Sequence, residues 1–302
     1  MQNNKPSLLV LAAGMGSRYG SLKQMDAFGP NGESIIDYSI YDAIEAGFGK
    51  VVFVVREYFL EEFKAMFDER FGHKIELCYV TQELTSIPDG LVFNPERQKP
   101  WGTAHAVYVA YEAIQEPFAV INADDFYGRD AYKVLYNFLT HDDGPNYCVV
   151  SYYLENTLSE HGTVNRGVCT ADEEGYLMHV EECTKIEKDE NGTITYPSED
   201  GPRVLQPNTL VSMNMWGFKP NYFTYAEKQL SNFIIEKGHE LKSEFYIPSM
   251  VDKLIHDGEL KVNVLKTTSS WFGVTYPEDK AAVQEQLKVL IDSGAYPQNI
   301  WE

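Results

Sequence analysis

The chain is 302 residues long, 44% hydrophobic and 23% charged, enough to bury a core as one large domain or two small ones. Its 25 Lys and Arg against 45 Asp and Glu leave a net charge of −20, which repels a phosphate backbone and argues against nonspecific binding to nucleic acid or an anionic membrane. No apolar run approaches the ~18 residues that span a bilayer, and the apolar N-terminal stretch is too short and wrongly flanked for a secretory signal. Cys78, Cys148, Cys169 and Cys183 share no C-x-x-C spacing, so neither a disulfide framework nor a zinc site is expected. The expectation is a globular, cytoplasmic protein.

In chain order, LLVLAAG (8–14) reads as a buried strand ending in glycine. Residues 34–46 place Ile36, Ile40, Ala43 and Ile44 at helical spacing and stop at Gly47. KVVFVV (50–55) is a second strand, and 57–67 an amphipathic helix with Phe59, Phe63, Met66 and Phe67 on one side. Residues 74–82 predict a strand, 103–115 a helix and 118–124 a strand. Strands without polar alternation, each followed by a helix, predict an α/β fold with a mostly parallel sheet covered on both faces. After about residue 145 the pattern changes to a strand at 147–154 and a hairpin-rich stretch with turns at D-E-E-G (172–175) and D-E-N-G (189–192). Residues 155–200 carry twelve acids against three bases, either a solvated β-rich insertion over a sheet edge or an acidic partner-binding surface. Strand and helix patterns return over 208–276, and 277–291 begin like a helix with proline in its first turn. The expected organisation is a nucleotide-binding half (1–145) fused to an acceptor-binding half with a C-terminal helical segment (146–302).

The strongest chemical signal is LAAGMGSRYGSLKQ (11–24). Glycines at 14, 16 and 20 let backbone N–H groups approach a phosphate, and Arg18 and Lys23 add a planar fork of donors and a compact charge. The spacing misses the dinucleotide fingerprint by one residue, which argues against an NAD-dependent dehydrogenase. It also lacks the G-K-[ST] of a P-loop. Two further segments stand out: K-P-W-G-T-A-H-A-V (99–107), preceded by Gln82 at a strand end, and N-A-D-D-F-Y-G (122–128), a strand ending in carboxylates. The seven histidines fall in no ligand spacing, and none, His105 included, is nominated for chemistry.

The motif L-A-A-G-x-G-x-R-x-G-x-x-K-Q resembles that of the nucleotidyltransferase (nucleotide-diphospho-sugar pyrophosphorylase) family, and further matches extend along most of the chain. The resemblance implies a Rossmann-like α/β fold of nucleotide-diphospho-sugar transferase type and a Mg²⁺-dependent enzyme. Such an enzyme joins a nucleoside triphosphate, with a pyrimidine one favoured (UTP or dTTP), to a sugar 1-phosphate and releases pyrophosphate. It implies nucleotide contacts at Ala13, Gly14, Gly16, Gly20, Gln82, Gly102 and Thr103, catalytic roles for Arg18 and Lys23, and a metal at Asp124, with Asp125 beside it. The acceptor region resembles the family's less closely: Glu182 would hold acceptor hydroxyls, but Cys183 stands where a lysine is usual, and Asn214 is a further possible acceptor contact. Glu244, in K-S-E-F-Y-I-P (242–248), reads as structural.

The match departs at S-S-W-F-G-V-T-Y-P-E-D-K (269–280), where Gly273 stands at the family's second metal-ligand position. Three outcomes stay open: one protein carboxylate completed by water and phosphates, a second ligand such as Asp125, or a fold that binds nucleotide without turnover. A cytidylyltransferase acting on phosphocholine or another non-sugar phosphate, and a silent nucleotide-binding regulator, are the alternatives. The oligomeric state is not legible.

Overall fold

A computed structural model describes residues 5–14, 26–159, 162–198, 200–274 and 279–302. The chain begins with β1 (Ser7–Leu11), α1 (Ile35–Ala46), β2 (Lys50–Val55), a 3₁₀ turn at Glu57–Phe59, α2 (Leu60–Phe71) and β3 (Glu76–Thr81). There follow α3 (Thr103–Tyr108), β4 (Phe118–Asn122), β5 (Asp125–Phe126), α4 (Arg129–His141) and β6 (Tyr147–Tyr153). β7 (Val164–Ala171), β8 (Leu177–Lys188), β9 (Ile194–Ser198), β10 (Gly201–Leu205) and β11 (Leu210–Phe218) come next. The chain closes with α5 (Asn221–Lys237), α6 (Ile247–His256), β12 (Val262–Lys266), β13 (Phe272–Gly273) and α7 (Asp279–Asp292).

The strands expected to be buried on both faces are so. Leu8, Val10, Val51, Phe53 and Val55 pack with α1, α2 and α4 on one side of the sheet, while Leu9, Val52 and Val54 pack with α3, α5 and α6 on the other. The period of two along each strand feeds two separate cores, which is why those segments read as continuous apolar runs. α1 starts where the Asp37 carboxylate accepts the Ser34 backbone N–H (2.7 Å) and hydroxyl (2.6 Å), a local reason for the helix to begin there.

The sheet is parallel over β3-β2-β1-β4, with β1 between β2 and β4. Chain order reverses at β1, so the β1/β4 boundary is a topological switch point of the kind that opens a crevice at the strands' carboxyl ends. β11 adds antiparallel to β4, and β6 lies beyond it with β12 parallel to its other edge. β11 is the pivot: Trp216–Phe218 pair with β4, whereas Val211 and Ser212 pair with β7, the register shifting in between. From there β7-β8-β9-β10 continue antiparallel. The acidic stretch is therefore a β extension of the same sheet. Its two turns are braced by Asp172, which accepts the Glu174 and Tyr176 N–H groups, and Asp189, which accepts those of Asn191 and Thr193.

Two boundaries differ from the sequence expectation. α3 ends at Tyr108 rather than 115, tightening into i→i+3 turns such as Ala110 N–H to Val107 and Ala113 N–H to Ala110. The β-branched and aromatic run V-Y-V-A-Y is a poor α-helix former, which fits that early stop. α2 runs on to Phe71, because Phe71 is a fully buried member of the same aromatic face.

Candidate active site

A cleft of about 730 Å³ opens where the parallel strands end. β1 delivers Ala13 and Gly14, β2 delivers Arg56, β3 delivers Gln82, and β4 delivers Asn122 and Asp124; Gly102 and Thr103, at the start of α3, join the lining beside Gln82. Of the sequence-predicted nucleotide contacts, Ala13, Gly14, Gln82, Gly102 and Thr103 thus line one cleft, together with Asp124. Gly16, Arg18, Gly20 and Lys23 lie outside the described residues. A larger hollow of about 870 Å³, around Lys5, Tyr136 and Lys219, sits at the strands' opposite ends and holds none of the predicted residues.

The Gly102 wall is built by its neighbours. The Phe245 N–H donates to the Trp101 carbonyl (2.5 Å), and the Ala104 N–H donates to the Phe245 carbonyl (3.0 Å). Gly102 has φ +108°, and a Cβ there would stand 2.6 Å from the Phe245 carbonyl oxygen, so only glycine fits. The Arg97 guanidinium, 3.7 Å from the Trp101 ring centroid, ties the loop down through the Lys99, Pro100, Glu240 and Ser243 carbonyls. α3 is only six residues long, and its Ala104 N–H is already bonded to the Phe245 carbonyl.

Gln82 is 4% exposed and held from within. Its Nε2 donates to the Gly102 carbonyl (3.2 Å) and lies 2.9 Å from His105 Nδ1, while His105 Nε2 lies 2.7 Å from the Ser86 carbonyl. Burial lowers the His105 pKa to about 4, so the ring is neutral. The long stretch 83–98 therefore has a function in the fold: it supplies the Ser86 carbonyl to His105 and the Leu84 carbonyl to the Trp101 indole N–H (2.9 Å).

The carboxylates divide. Asp124 lines the cleft. Asp125 turns back into the fold, where its Oδ2 accepts from Asn122 Nδ2 (2.9 Å) and lies 3.2 Å from the Tyr127 hydroxyl. Burial and the adjacent Asp124 charge hold Asp125 above the ordinary carboxylate range, against those hydrogen bonds and the Arg166 charge. β13 pairs with β5 so that Gly273 faces Asp125, and a Cβ on Gly273 would meet Asp125 Oδ1 at 2.8 Å. The Asp125 carboxylate thus occupies the space a side chain at 273 would need.

Asn214 is held from within the sheet, beside the cleft-lining Asn122. Its Oδ1 accepts the Trp216 indole N–H (2.9 Å) and its Nδ2 donates to Asn122 Oδ1 (2.8 Å), fixing the β11 bend at φ +60°. Glu182 is not among the residues that line this cleft. It lies over Gly167 on β8, with a pKa raised by burial and opposed by the Arg166 charge. Arg166, buried and 4.7 Å from the Trp271 ring centroid, places its charge between Asp125 and Glu182.

The sequence reading singled out neither Arg56 nor Lys99, read Glu244 as structural and nominated His105 for no chemistry. Arg56 (3.3 Å from Glu83) and Lys99, paired with Glu244, bring cations to a strongly acidic molecule's cleft. A basic residue directly after a buried strand was the available signal for Arg56. Nothing in the sequence shows that Lys99 and Glu244, far apart in the chain, meet.

A glycine turn, an oriented amide and a carboxylate at the carboxyl ends of parallel strands define an α/β protein built to handle a nucleotide. The sequence profile described as nucleotidyl transferase matches residues 8–288, and the chain belongs to that family of enzymes. Solved structures share the fold. An inositol-1-phosphate CTP transferase from T. maritima is 14% identical, with a TM-score of 0.61 over 97% of this chain and 98% of its own. A protein assigned as a glucose-1-phosphate thymidylyltransferase from Bacillus anthracis is 13% identical, with a TM-score of 0.62 over 93% and 94%. A UDP-glucose pyrophosphorylase complexed with UDP-glucose is 16% identical, with a TM-score of 0.59 over 94% and 98%. No curated protein sequence is significantly similar to the chain. Among the described residues no helix is long and apolar enough to cross a membrane.

Proposed function

We propose that this nucleotidyltransferase joins a pyrimidine nucleoside triphosphate, UTP or dTTP, to a sugar 1-phosphate and releases pyrophosphate. The observation that carries the reading is the gathering of Gly14, Gln82, Gly102, Thr103 and Asp124 around one cleft at the sheet's switch point. The base lies against Gly102 within reach of Gln82, and the phosphates run toward Gly14, where the glycine loop departs. Arg18 and Lys23 of that loop are assigned to the triphosphate and the incoming phosphate, with Arg56 and Lys99 as further cations of the cleft.

The acceptor phosphate oxygen attacks the α-phosphorus in line; a new P–O bond forms as the bond to the bridging oxygen breaks, and the electron pair leaves with pyrophosphate. The attacking phosphate is already ionised near pH 7, so no general base is needed, and positioning with charge neutralisation supplies the acceleration. The donor set suits Mg²⁺: the cleft-facing Asp124 carboxylate is a hard oxygen ligand for a cation that keeps most of its shell for phosphates and water. Mg²⁺ bound there supplies charge neutralisation at the α-phosphate and leaving group. Asp125, facing Gly273, supports this site through Asn122.

Pyrophosphate release from UTP or dTTP with a panel of sugar 1-phosphates and Mg²⁺ tests the reading. Asp124→Ala is expected to lower turnover at least about 100-fold while the circular dichroism spectrum is unchanged. No release with any triphosphate, or unchanged turnover in the variant, would overturn it.

A further inference from the structure

His105 is not among the residues that line the cleft, yet it sits behind Gln82, whose amide the reading above sets against the base. The Ser86 carbonyl only accepts, so His105 Nε2, 2.7 Å away, carries the ring proton. Nδ1 then holds a lone pair, and the Gln82 atom 2.9 Å from it must be the NH₂ group. The Gly102 carbonyl, 3.2 Å from the same nitrogen, demands the same orientation independently. Both hydrogens of the amide are thereby engaged inside the protein. Among the described residues no hydrogen bond is made to Gln82 Oε1, and the atom is not one of the buried unpaired oxygens.

We propose that His105 is the positioning residue that sets base specificity: by locking the Gln82 amide with its carbonyl oxygen toward the cleft, it selects a base with a ring N–H donor, the N3–H of uracil or thymine. It thereby rejects cytosine and adenine, which present a ring acceptor at that place. The inference rests on the nucleotide reading above and deepens it. An acceptor set against an acceptor leaves both unpaired, which costs the wrong base about tenfold or more in affinity. Gln82 cannot flip to accommodate cytosine, because its oxygen would then face the Gly102 carbonyl and the His105 lone pair together.

Equilibrium binding of UTP, CTP, ATP and N3-methyl-UTP to the full chain tests this, with inorganic triphosphate as the base-free control. UTP is expected to bind at least about tenfold more tightly than CTP, ATP or N3-methyl-UTP. His105→Leu should bring the UTP:CTP ratio close to one while leaving inorganic triphosphate binding unchanged. His105→Gln, whose carbonyl accepts the same Gln82 N–H, should restore much of the ratio. Should His105→Leu fail to fold, the N3-methyl-UTP comparison in the unaltered protein still decides. CTP or N3-methyl-UTP binding as tightly as UTP, or an unchanged ratio in a folded His105→Leu protein, would overturn the role of His105 and leave the nucleotidyltransferase reading standing. Failure of every triphosphate to bind would overturn both.

Discussion

Asp125 and Gly273 face one another across a two-residue strand pair, and each constrains the other. A methyl group at 273 would meet Asp125 Oδ1 at 2.8 Å and the Trp271 ring at 3.1 Å. Because Asp125 is pinned by Asn122 and Tyr127, it has no room to give. Gly273→Ala is expected to cost about 1–3 kcal/mol in urea denaturation, and distinctly less in an Asp125→Ala background. Additive costs would show that the two residues do not share space. His105 makes a second residue-level prediction. Its pKa is about 6.5 when unfolded and about 4 when folded, so between those values the unfolded chain binds the extra proton. The stabilisation from the neutral ring is complete above pH 6.5 and is lost as pH falls toward 4, on the order of 3 kcal/mol in all. The stability difference between the unaltered protein and His105→Gln, followed from pH 7 to 4.5, should shrink by most of that amount.

Legibility at this scale followed local chemistry. That Gly14 and Asp124 line the cleft was readable because each closely follows a buried strand, and Gly102 because it stands just before a helical pattern. Gln82 was readable as a strand end but not as a buried, doubly anchored amide, since its anchors come from 86, 102 and 105. The hydrogen bonds of Asn214 were hidden for the same reason: its partners Asn122 and Trp216 are brought to it by the sheet, and both its amide groups serve the β11 bend.

At the scale of elements, the C-terminal segment after α7 is held to α1 by buried polar contacts. The Tyr296 hydroxyl donates to Asp42 Oδ2 (2.6 Å), the Trp301 indole N–H to Asp37 Oδ1 (3.2 Å), and Arg129 lies 5.1 Å from the Tyr296 ring centroid. Burial pushes the Asp42 pKa up to about 7, with Tyr296 and Arg129 opposing the shift. Tyr296→Phe keeps the ring and removes the donor, and is expected to lower stability by about 1–3 kcal/mol in urea denaturation, with the unfolding slope unchanged. No loss would mean that ring packing against Tyr38, Tyr41 and Phe126 anchors Tyr296 without its hydroxyl. Periodicity located α1, α2 and the parallel strands well, because each is amphipathic or buried over its whole length. It overran α3, where helical spacing continues in the sequence but the backbone tightens into turns before β4.

Across the whole molecule, one sheet runs from β3 to β10, with the nucleotide cleft on its parallel part and the acidic hairpins on its antiparallel extension. A ligand bound at the cleft engages β1, β2, β3 and β4 together, so occupancy should stabilise the fold globally. UTP at about 100 times its dissociation constant, with Mg²⁺, should add about 2.7 kcal/mol, a rise of several degrees in Tm, and the rise should be largely lost in Asp124→Ala. An equal shift in that variant would separate nucleotide binding from the carboxylate. The sequence by itself determined the α/β class, the family and the carboxylate that follows β4, because strand burial, turn chemistry and spacing are encoded within a few residues of one another. Only the tertiary structure decided which way Gln82 points, that Asp125 fills the space opposite Gly273, and that Lys99 meets Glu244. Those outcomes depend on hydrogen bonds and close contacts between segments that only the folded sheet brings together.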